Sequence, residues 1–371
     1  MKYYIIAGEA SGDLHGANLI KELKVKDSDA IFRCWGGDMM QAEGVEIVKH
    51  YRDLAFMGFV EVINNLPTIV KNIKLCKNDI LHFSPDVVIF IDYPGFNLRI
   101  ASFAKKHNFK TVYYISPQIW AWKKSRVHQI KRDIDKMLVI LPFEKDFYNR
   151  FDFKVDFVGH PLLDAIQDIG IPDSSWRIRN SLSEKPIIAL LPGSRKQEIN
   201  AMLPIMLSVA NDFKGYQFVV AAAPGQELDF YKPFTEKYPV KLVKGETYAL
   251  LQNANAALVT SGTATLETAL FNVPEVVCYR GSKISYEIAK RIIKVKYISL
   301  VNLIMDKMVV KELIQDELNT KNITLHLNEI LEPNTRTQLL ADYQLLKEKL
   351  GGSGASQRAA DKIVSFTAEG K

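Results

Sequence analysis

Short apolar runs rich in β-branched residues alternate along the chain with longer amphipathic stretches. In the first half the apolar runs are KYYIIAG, IFRCWGG, DVVIFID, TVYYIS, KMLVIL and KVDFVG. Strands that are buried on both faces of a parallel sheet have such continuous apolar sequences, and the amphipathic stretches fit crossover helices. The pattern therefore predicts an α/β fold built on a parallel sheet.

The alternation stops once and then starts again. The polar stretch GIPDSSWRIRNSLSEKP follows VGHPLLD and precedes the runs IIALLPGS, YQFVVAAA, VKLVKGE, AALVTSG and EVVCYR. A chain of 371 residues is also long enough for two hydrophobic cores. We predict two Rossmann-like domains facing a cleft, residues 1–168 and 169–350, with the boundary inside residues 165–185.

The tail beyond about residue 310 has apolar residues spaced by three and four, which predicts helices. The sequence GGSGAS at residues 351–356 separates the last two of them. We expect the final segment, residues 351–371, to form a helix that returns to the N-terminal domain or joins a partner subunit.

Composition narrows the class of protein. Hydrophobic residues make up 47% and charged residues 24%, which is typical of a folded globular protein. The first apolar run is too short for a signal peptide or a spanning helix, so we expect a cytoplasmic protein. Cys34, Cys76 and Cys278 have no metal-ligand spacing and are expected to be buried thiols. The net charge of +6 suits a phosphorylated ligand or an anionic membrane as well as nucleic acid.

The residues that follow the strands are the first candidates for a site, because ligands of open parallel sheets bind beyond the carboxyl ends of the strands. The first strand leads into GEASGDLHG, whose glycines are four apart and do not form the G-x-G-x-x-G of a dinucleotide fold. Glycines there let the backbone approach a ligand, and Ser11 or Asp13 can cap a helix that begins near Leu14. The alternative is a loop that merely turns.

The run DVVIFID delivers Asp92 to the same sheet edge, directly before the turn YPGFN. A carboxylate held there can act as a general base for an acceptor hydroxyl. The alternative is that Asp92 is the N-cap of a helix starting near Asn97.

Two turns in the second half supply groups that bind anions. Arg195 ends the segment LLPGSR, and a guanidinium binds a diphosphate through several donors. Ser261, Gly262 and Thr263 join the run AALVT to a helix, whose free N–H groups and positive end attract anions. Glu267 lies one turn inside that helix, where its carboxylate can accept both ribose hydroxyls.

Asp133 and Asp135 form a D-x-D sequence, which holds a divalent metal in one class of glycosyltransferase. Here the pair precedes the run KMLVIL, at the amino end of a strand and away from the expected ligand edge. We therefore interpret it as a solvated turn and expect no metal site.

Two stretches have the composition of a membrane-contacting surface. In the first, Phe56, Met57 and Phe59 lead into a segment with the apolar residues Val62, Leu66, Ile69 and Ile73, and further along the chain Trp120 and Trp122 adjoin Lys123, Lys124 and Arg126. The second has Lys283, Lys290, Arg291, Lys294 and Lys296 beside Ile284, Ile288 and Ile292. The alternative in each case is a packed helix with a solvated basic face.

Taken together, these segments resemble the lipid-A-disaccharide synthases, a family of inverting glycosyltransferases with two Rossmann-like domains in the GT-B arrangement. The matching segments are GEASGDLHGANLIKELK, WGGDMMQAEGVE, DLAFMGFVEV, IDYPGFN, ISPQIWAWK, VGHPLLD, LLPGSRKQEI, SGTATLE, VNLI, VKELIQDE and GGSGASQRAADKI. Their order and spacing over nearly the whole chain make the resemblance specific. One departure is Val301, at a position where the family generally carries Pro.

The resemblance implies transfer of 2,3-diacylglucosamine from UDP to the 6-hydroxyl of 2,3-diacylglucosamine 1-phosphate. The products are the β-1,6-linked lipid A disaccharide 1-phosphate and UDP. Residues 1–168 would be the acceptor side and residues 169–350 the UDP-sugar domain. No metal, other cofactor or nucleic acid is implied, whereas acylated substrates imply peripheral association with the anionic inner membrane. Assembly as a homodimer is left open.

The resemblance also implies roles for the strand-end residues. Asp92 is the expected base, and Arg195 the expected ligand of the departing diphosphate. The expected nucleotide contacts are Arg195, Ser261, Gly262, Thr263 and Glu267. The expected polar residues of the acceptor side or the active site are Glu9, Ser11, Asn97 and Asn302. Glu9 and His15 would line the acceptor side, and His15 is counted with Asp92 and Arg195 among the catalytic residues.

Three alternatives remain from the sequence. A non-hydrolysing UDP-N-acetylglucosamine 2-epimerase uses the same architecture without an acylated acceptor. The peptidoglycan N-acetylglucosaminyltransferase that acts on lipid-linked muramyl-pentapeptide also has a His in a Gly-rich first loop, although its glycine pattern differs. A sugar-nucleotide sensor would bind UDP without turnover.

Overall fold

A computed structural model describes residues 1–54, 66–167, 169–170, 173–282 and 295–369. The chain divides into two compact units. Residues 1–165 and 350–371 form the first, and residues 166–349 form the second. Each unit is built around its own parallel sheet.

The sheet of the first unit has seven parallel strands in the order β3-β2-β1-β4-β5-β6-β7. The strands are β1 (Lys2–Ala7), β2 (Ile31–Gly36), β3 (Glu46–His50), β4 (Val87–Ile91), β5 (Lys110–Tyr114), β6 (Lys136–Val139) and β7 (Asp156–Phe157). Every residue of β4 is buried, as expected for a central strand covered on both faces. Edge strand β3 has no fully buried residue, which explains why its polar sequence gave no strand signal.

The helices of the first unit follow the strands as crossovers. They are α1 (Ala10–Lys26), α2 (Asp38–Ala42), α3 (Leu66–Phe83), α4 (Pro94–Lys106), α5 (Ile119–Trp122), α6 (Arg126–Asp133), α7 (Pro142–Asn149) and, at the junction with the second unit, α8 (Leu162–Gln167). Aromatic residues from the strands, among them Tyr4, Trp35, Phe90 and Tyr113, fill the core against α3, α4 and α6.

The last helix of the chain belongs to the first unit, where it packs against α1. Its N-terminus is capped by Asp164, whose carboxylate accepts hydrogen bonds from the backbone N–H groups of Gly354 (2.6 Å) and Ser356 (2.8 Å). At its C-terminus the Lys110 ammonium donates to the carbonyl oxygen of Thr367 at 2.8 Å. Both ends of this helix are therefore fixed to other elements of the first unit by charged side chains, Asp164 of α8 and Lys110 of β5.

The sheet of the second unit has six parallel strands in the order β10-β9-β8-β11-β12-β13. The strands are β8 (Ile187–Leu191), β9 (Gln217–Ala222), β10 (Val240–Lys244), β11 (Ala254–Thr260), β12 (Glu275–Tyr279) and β13 (Lys311–Ile314). The region beyond residue 310 was expected to be helical, and this expectation is wrong for β13. Lys311–Ile314 pairs with β12 at the sheet edge, because strand pairing overrides a short and ambiguous apolar spacing.

The remaining helices surround the second sheet or end the chain. They are α9 (Trp176–Arg179), α10 (Lys196–Leu207), α11 (Lys232–Thr235), α12 (Thr247–Asn253), α13 (Thr263–Leu270), α14 (Leu300–Met305), α15 (Thr320–Leu331), α16 (Pro333–Lys349) and α17 (Ala355–Ala368), the last of which is the helix of the first unit described above. The two parallel sheets, the crossover helices and the helical C-terminal end confirm the predicted fold class. The three cysteines are free and buried, as expected.

Candidate active site

Each sheet has one switch point, where two neighbouring strands send their following loops in opposite directions. In the first unit it lies between β1 and β4, and in the second between β8 and β11. Ligands of doubly wound sheets bind in the crevice at such a point, beyond the carboxyl ends of the strands. The four loops concerned begin at Gly8, Asp92, Pro192 and Ser261, and these loops together with the helices that follow them carry most of the residues expected from the sequence.

The loops after β1 and β4 are in direct contact. A Cβ atom placed on Gly8 would lie 2.2 Å from Cδ1 of Tyr93, so only glycine fits against this ring. The close approach also brings Glu9 near enough to Asp92 for its charge to act on that carboxyl.

Asp92 stands on a constrained backbone. Its φ of 42° and that of Tyr93 at 48° are both in the left-handed region, which costs a non-glycine residue about 1–2 kcal/mol. Two donors hold the carbonyl oxygen of Asp92, Nδ2 of Asn97 at 2.7 Å and the hydroxyl of Tyr113 at 2.6 Å. Such over-determined strain is common where a side chain must be aimed at a ligand.

The carboxyl of Asp92 has an unusual acidity. Burial raises its pKa to about 7, the negative charge of Glu9 adds to the shift, and a hydrogen bond with the backbone of Tyr93 opposes it. A carboxylate with a pKa near neutrality can accept a proton during a reaction and release it afterwards. The helix that follows begins at Pro94, with Tyr93 as its N-cap, so Asp92 is not the N-cap of this helix.

Asn97 is fully buried beneath these loops. Its Nδ2 donates to the carbonyl oxygens of Asp92 (2.7 Å), Ile91 (3.2 Å) and Ile6 (3.4 Å). The side chain therefore joins the ends of β1 and β4, and it acts on the switch point by holding the backbone.

Helix α1 begins earlier than the sequence indicated. It starts at Ala10, and its N-cap residue Glu9 makes no side-chain cap hydrogen bond among the described residues. Ser11 is exposed in the first turn. Asp13, expected to cap its own helix, instead accepts from the N–H groups of Gly37 (2.6 Å) and Met40 (3.1 Å) at the start of α2. Local spacing could not reveal this partner, because α2 is more than twenty residues away in sequence.

His15 lies in a second polar cluster of the first unit. Burial lowers its pKa to about 4, against the opposing attraction of Asp164. The neighbouring His160 has its pKa lowered to about 3 by burial and then by His15. Nδ1 of His15 has no hydrogen-bond partner among the described residues. His15 is thus a neutral imidazole at pH 7, in a group with His160 and Asp164.

In the second unit, Arg195 ends the loop after β8. Gly193 allows this loop to turn, with a φ of 102° and a Cβ position only 2.7 Å from Oε2 of Glu198. Glu198 accepts from the backbone N–H groups of Ser194 (3.2 Å) and Arg195 (3.3 Å). The guanidinium of Arg195 is 63% exposed and contacts Glu198 at 3.4 Å, so it remains largely available to an anion from solvent.

The turn after β11 presents the N-terminus of α13. Gly262 and Thr263 are exposed, and the N-cap residue Gly262 has no side chain with which to cap the helix. The first N–H groups of a helix lack intrahelical partners and are suited to an anion. The hydroxyl of Ser261 donates to the carbonyl oxygen of Ile298 at 3.0 Å, so its hydrogen is already engaged.

Glu267 has a partner that the sequence did not indicate. The hydroxyl of Tyr248 donates to its Oε1 at 2.9 Å, while burial raises the pKa of the Glu267 carboxyl. Tyr248 fixes one oxygen and leaves the other able to accept a further hydrogen bond. Tyr248 is on α12, nineteen residues earlier, and no local pattern predicts this contact.

Asn302 is fully buried and holds backbone on both sides. Its Oδ1 accepts from the N–H groups of Val309 (2.7 Å) and Val310 (2.9 Å), and its Nδ2 donates to Glu312 at 2.9 Å. Both the oxygen and the nitrogen of the Asn302 amide therefore hold the loop that precedes β13 in the second unit. Val301, the departure from the family pattern, is also buried.

The D-x-D carboxylates are engaged elsewhere. Asp133 pairs with Arg132 at 2.7 Å, and Asp135 accepts from the backbone N–H of Thr111 at 3.0 Å and contacts Lys105. Both precede β6, at its amino end. Within the described ranges, no group of three His, Cys, Asp or Glu side chains could hold a metal ion.

Much of the predicted membrane surface lies outside the described residues. This applies to Phe56, Met57, Phe59 and Val62, and to Lys283, Ile284, Ile288, Lys290, Arg291, Ile292 and Lys294. Of the rest, Ile73 packs against the first core and Ile69 is partly exposed on α3. No helix in the described part of the chain is long and apolar enough to cross a membrane.

Solved structures share this architecture at low sequence identity. A UDP-GlcNAc 2-epimerase from Neisseria meningitidis matches with a TM-score of 0.71 and 12% identity, over 98% of this chain and 100% of that one. The glycosyltransferase of kitacinnamycin matches with a TM-score of 0.65 and 14% identity, over 98% of each chain. These similarities establish the GT-B-type fold alone.

Sequence comparison goes further. The lipid-A-disaccharide synthase of Syntrophus aciditrophicus is 40% identical over 364 residues, which are 96% of this chain and 95% of that protein. The enzyme of the same name from Psychromonas ingrahamii is 39% identical, over 97% of this chain and 96% of that protein. The sequence profile of the lipid-A-disaccharide synthetase family matches residues 3–364. The chain belongs to the lipid-A-disaccharide synthetase family.

Proposed function

We propose that this chain is an inverting glycosyltransferase that joins UDP-2,3-diacylglucosamine to 2,3-diacylglucosamine 1-phosphate. The products are the β-1,6-linked lipid A disaccharide 1-phosphate and UDP. The observation that carries the proposal is the pair of switch points, in a chain that matches the family over residues 3–364. One switch point has a carboxyl with a pKa of about 7. The other has an exposed guanidinium and a helix N-terminus that no described side chain caps.

The reaction needs a base for the acceptor. We assign this role to Asp92, which takes the proton of the 6-hydroxyl as that oxygen bonds to the anomeric carbon. The bond from this carbon to the diphosphate breaks on the opposite face, so the linkage inverts and UDP leaves with the electron pair. The raised pKa suits this step, since a base is most effective when its pKa is close to the working pH.

The departing UDP gathers negative charge. We assign its stabilisation to Arg195 and to the first N–H groups of α13 at Gly262 and Thr263. Glu267, positioned by Tyr248, has a free oxygen for a ribose hydroxyl. Ser261 acts by positioning this turn, because its hydroxyl donates to Ile298 and its backbone N–H donates to Cys278.

The remaining expected residues fall into two groups. Glu9, Ser11 and His15 belong to the loop and helix after β1, where polar side chains can contact an acylated sugar phosphate. His15 would do so as a neutral group, because burial keeps its pKa near 4. Asn97 and Asn302 act as positioning residues, through the backbone groups that they bind.

Acylated substrates partition into membranes, so an enzyme that uses them benefits from binding at a membrane surface. We propose a cytoplasmic protein that associates peripherally with the inner membrane, with acyl chains contacting the stretch from Phe56 to Ile73. Burial of a methylene is worth about 0.8 kcal/mol, and each nearby basic residue adds about 1 kcal/mol of attraction to anionic lipid. Homodimer formation is compatible with peripheral membrane association. Light scattering of the purified protein would measure its oligomeric state.

The test of the activity is UDP release measured with each acylated sugar alone and with both together. Transferase activity requires both sugars and yields the disaccharide by mass spectrometry. Release from a single sugar, or formation of the manno epimer from UDP-N-acetylglucosamine, would replace the proposal with a hydrolase or an epimerase. UDP binding without turnover would indicate a sensor.

Membrane association has its own test. Flotation with vesicles that contain anionic lipid should retain the protein at low salt and release it at high salt, because screening weakens the basic contacts. Replacing Phe56 and Phe59 by Ser should weaken flotation. Equal behaviour with and without vesicles, while the acylated sugars are still converted, would reject the membrane part alone.

A further inference from the structure

Glu312, on edge strand β13, holds a loop that precedes it by about ten residues in the second unit. Its Oε1 accepts from the N–H of Ser299 at 2.9 Å and from Nδ2 of Asn302 at 2.9 Å. Its Oε2 accepts from the N–H of Ile298 at 3.0 Å. Three donors converge on one carboxylate, so residues 298–302 are fixed to the edge of the second sheet.

The same loop is bonded to the turn at the start of α13. The carbonyl oxygen of Ile298 accepts from the hydroxyl of Ser261 at 3.0 Å, and the N–H of Ser261 donates to Cys278 at 3.0 Å. A hydroxyl has one hydrogen, and a diphosphate oxygen needs a donor. Ser261 is therefore engaged in placing the turn while this bond lasts.

The loop is braced from its other end as well. The side chain of Ser299 accepts from the N–H of Asn302 at 3.2 Å, which caps α14. Asn302 is bonded to Val309 and Val310, immediately before β13. Each polar group in this network has a partner, and well-connected buried networks of this kind give a segment one position.

We propose that Glu312 is a positioning residue for nucleotide recognition. It acts through residues 298–302 and through Ser261 on the exposed turn of Gly262 and Thr263, whose N–H groups face the ligand. This inference rests on the proposed function, in which that turn binds the diphosphate of UDP. Glu312 itself touches neither nucleotide nor acceptor in this account.

The substitution Glu312→Gln probes this chemistry with little change of shape. All three partners of the carboxylate are donors, and a Gln amide has only one accepting atom, so its NH₂ group faces another donor. We expect the affinity for UDP to fall about tenfold, the size of losing one hydrogen bond to a charged group. The KM for the UDP-sugar should rise by a similar factor, with kcat within about twofold, because binding is affected and the base is not.

Ser261→Ala is the second variant, since it removes the link to the turn and leaves the bonds of Glu312 intact. It should weaken UDP binding in the same direction. If both residues act through one connection, the double variant binds UDP no more than about twofold more weakly than Glu312→Gln, a non-additive result. Glu317→Gln is the matched control, because it removes an exposed carboxylate five residues away.

Calorimetric titration of the full chain with UDP gives these affinities, and thermal unfolding checks that each variant is folded. Normal UDP affinity in either single variant, or losses that add in the double variant, would overturn the proposal. Should Glu312→Gln fail to fold, Ser261→Ala decides alone, with normal affinity rejecting the inference. A wild-type chain that does not bind UDP would reject the proposed function itself, and the inference with it.

Discussion

The switch point of the first unit has the acidic residues Asp92 and Glu9, whereas that of the second unit has the exposed guanidinium of Arg195 and the exposed helix N-terminus at Gly262 and Thr263. In the first arrangement the pKa of the Asp92 carboxyl is raised to about 7, so this group ionises less readily than an ordinary aspartate. The second offers positive charge to solvent, with the side chain of Arg195 63% exposed. Both sets follow strands of similar apolar sequence.

The two switch points differ because a general base and a diphosphate-binding site need different surroundings. A base must regain and lose a proton near neutrality, which requires burial and a like charge. A diphosphate carries its charge in all states, so its site needs donors and an open approach. One type of sheet edge thus serves both purposes, and the loop residues alone decide which.

The largest expected effect comes from Asp92→Asn. Loss of a general base lowers turnover by about 100-fold or more, and UDP binding should be unchanged because the nucleotide contacts lie on the second unit. Turnover with both acylated sugars and calorimetric binding of UDP measure the two quantities. Asp146→Asn, which removes an exposed carboxylate on α7, is the control. Near-normal turnover in Asp92→Asn would remove this residue from the role of base.

The sequence was informative about this edge for a simple reason. Apolar runs locate strands, and parallel strands end at a common edge, so Glu9, Asp92, Arg195 and Thr263 could be assigned to loops at ligand-binding edges without coordinates. The fold class followed from the same alternation. Edge strands β3 and β13 were missed, because polar residues interrupt their apolar pattern and pairing with one neighbour is enough to form them.

Contacts between segments that are distant in sequence could not be predicted from the sequence. Asp13 caps α2, Tyr248 binds Glu267, and Ser261 donates to Ile298, each across nineteen or more residues. The left-handed backbone at Asp92 and Tyr93 is equally hidden, since neither residue type requires it. Such features depend on tertiary packing, and they determine whether a candidate side chain is free to meet a ligand.

A smaller effect is expected at the second switch point. Arg195→Ala should weaken UDP binding by about 10- to 100-fold, since charge-assisted hydrogen bonds to the diphosphate are lost. Arg195→Lys should weaken UDP binding less than Arg195→Ala does, because it keeps the charge without the two-pronged donor geometry. Titration with UDP measures both, with Arg179→Ala as a control for removal of an exposed cation from the same unit. Unchanged affinity in Arg195→Ala would mean that the diphosphate is bound elsewhere.

The smallest effect concerns the acidity of Asp92, and it separates burial from the charge of Glu9. Only the ionised carboxylate can act as a base, so kcat/KM should be constant well above pH 7 and fall about tenfold per unit well below it. The negative charge of Glu9 raises this pKa, and Glu9→Gln should therefore move the acid limb to lower pH. Because burial is the larger cause, the midpoint should stay above the ordinary range of an aspartate. Relative to its own high-pH plateau, the variant should keep roughly twofold more activity at pH 6 than the wild type.

A full pH profile of both proteins measures this shift of the midpoint. A midpoint that stays in place or moves to higher pH would show that Glu9 does not act on Asp92, and burial would then be the sole origin of the raised pKa of Asp92.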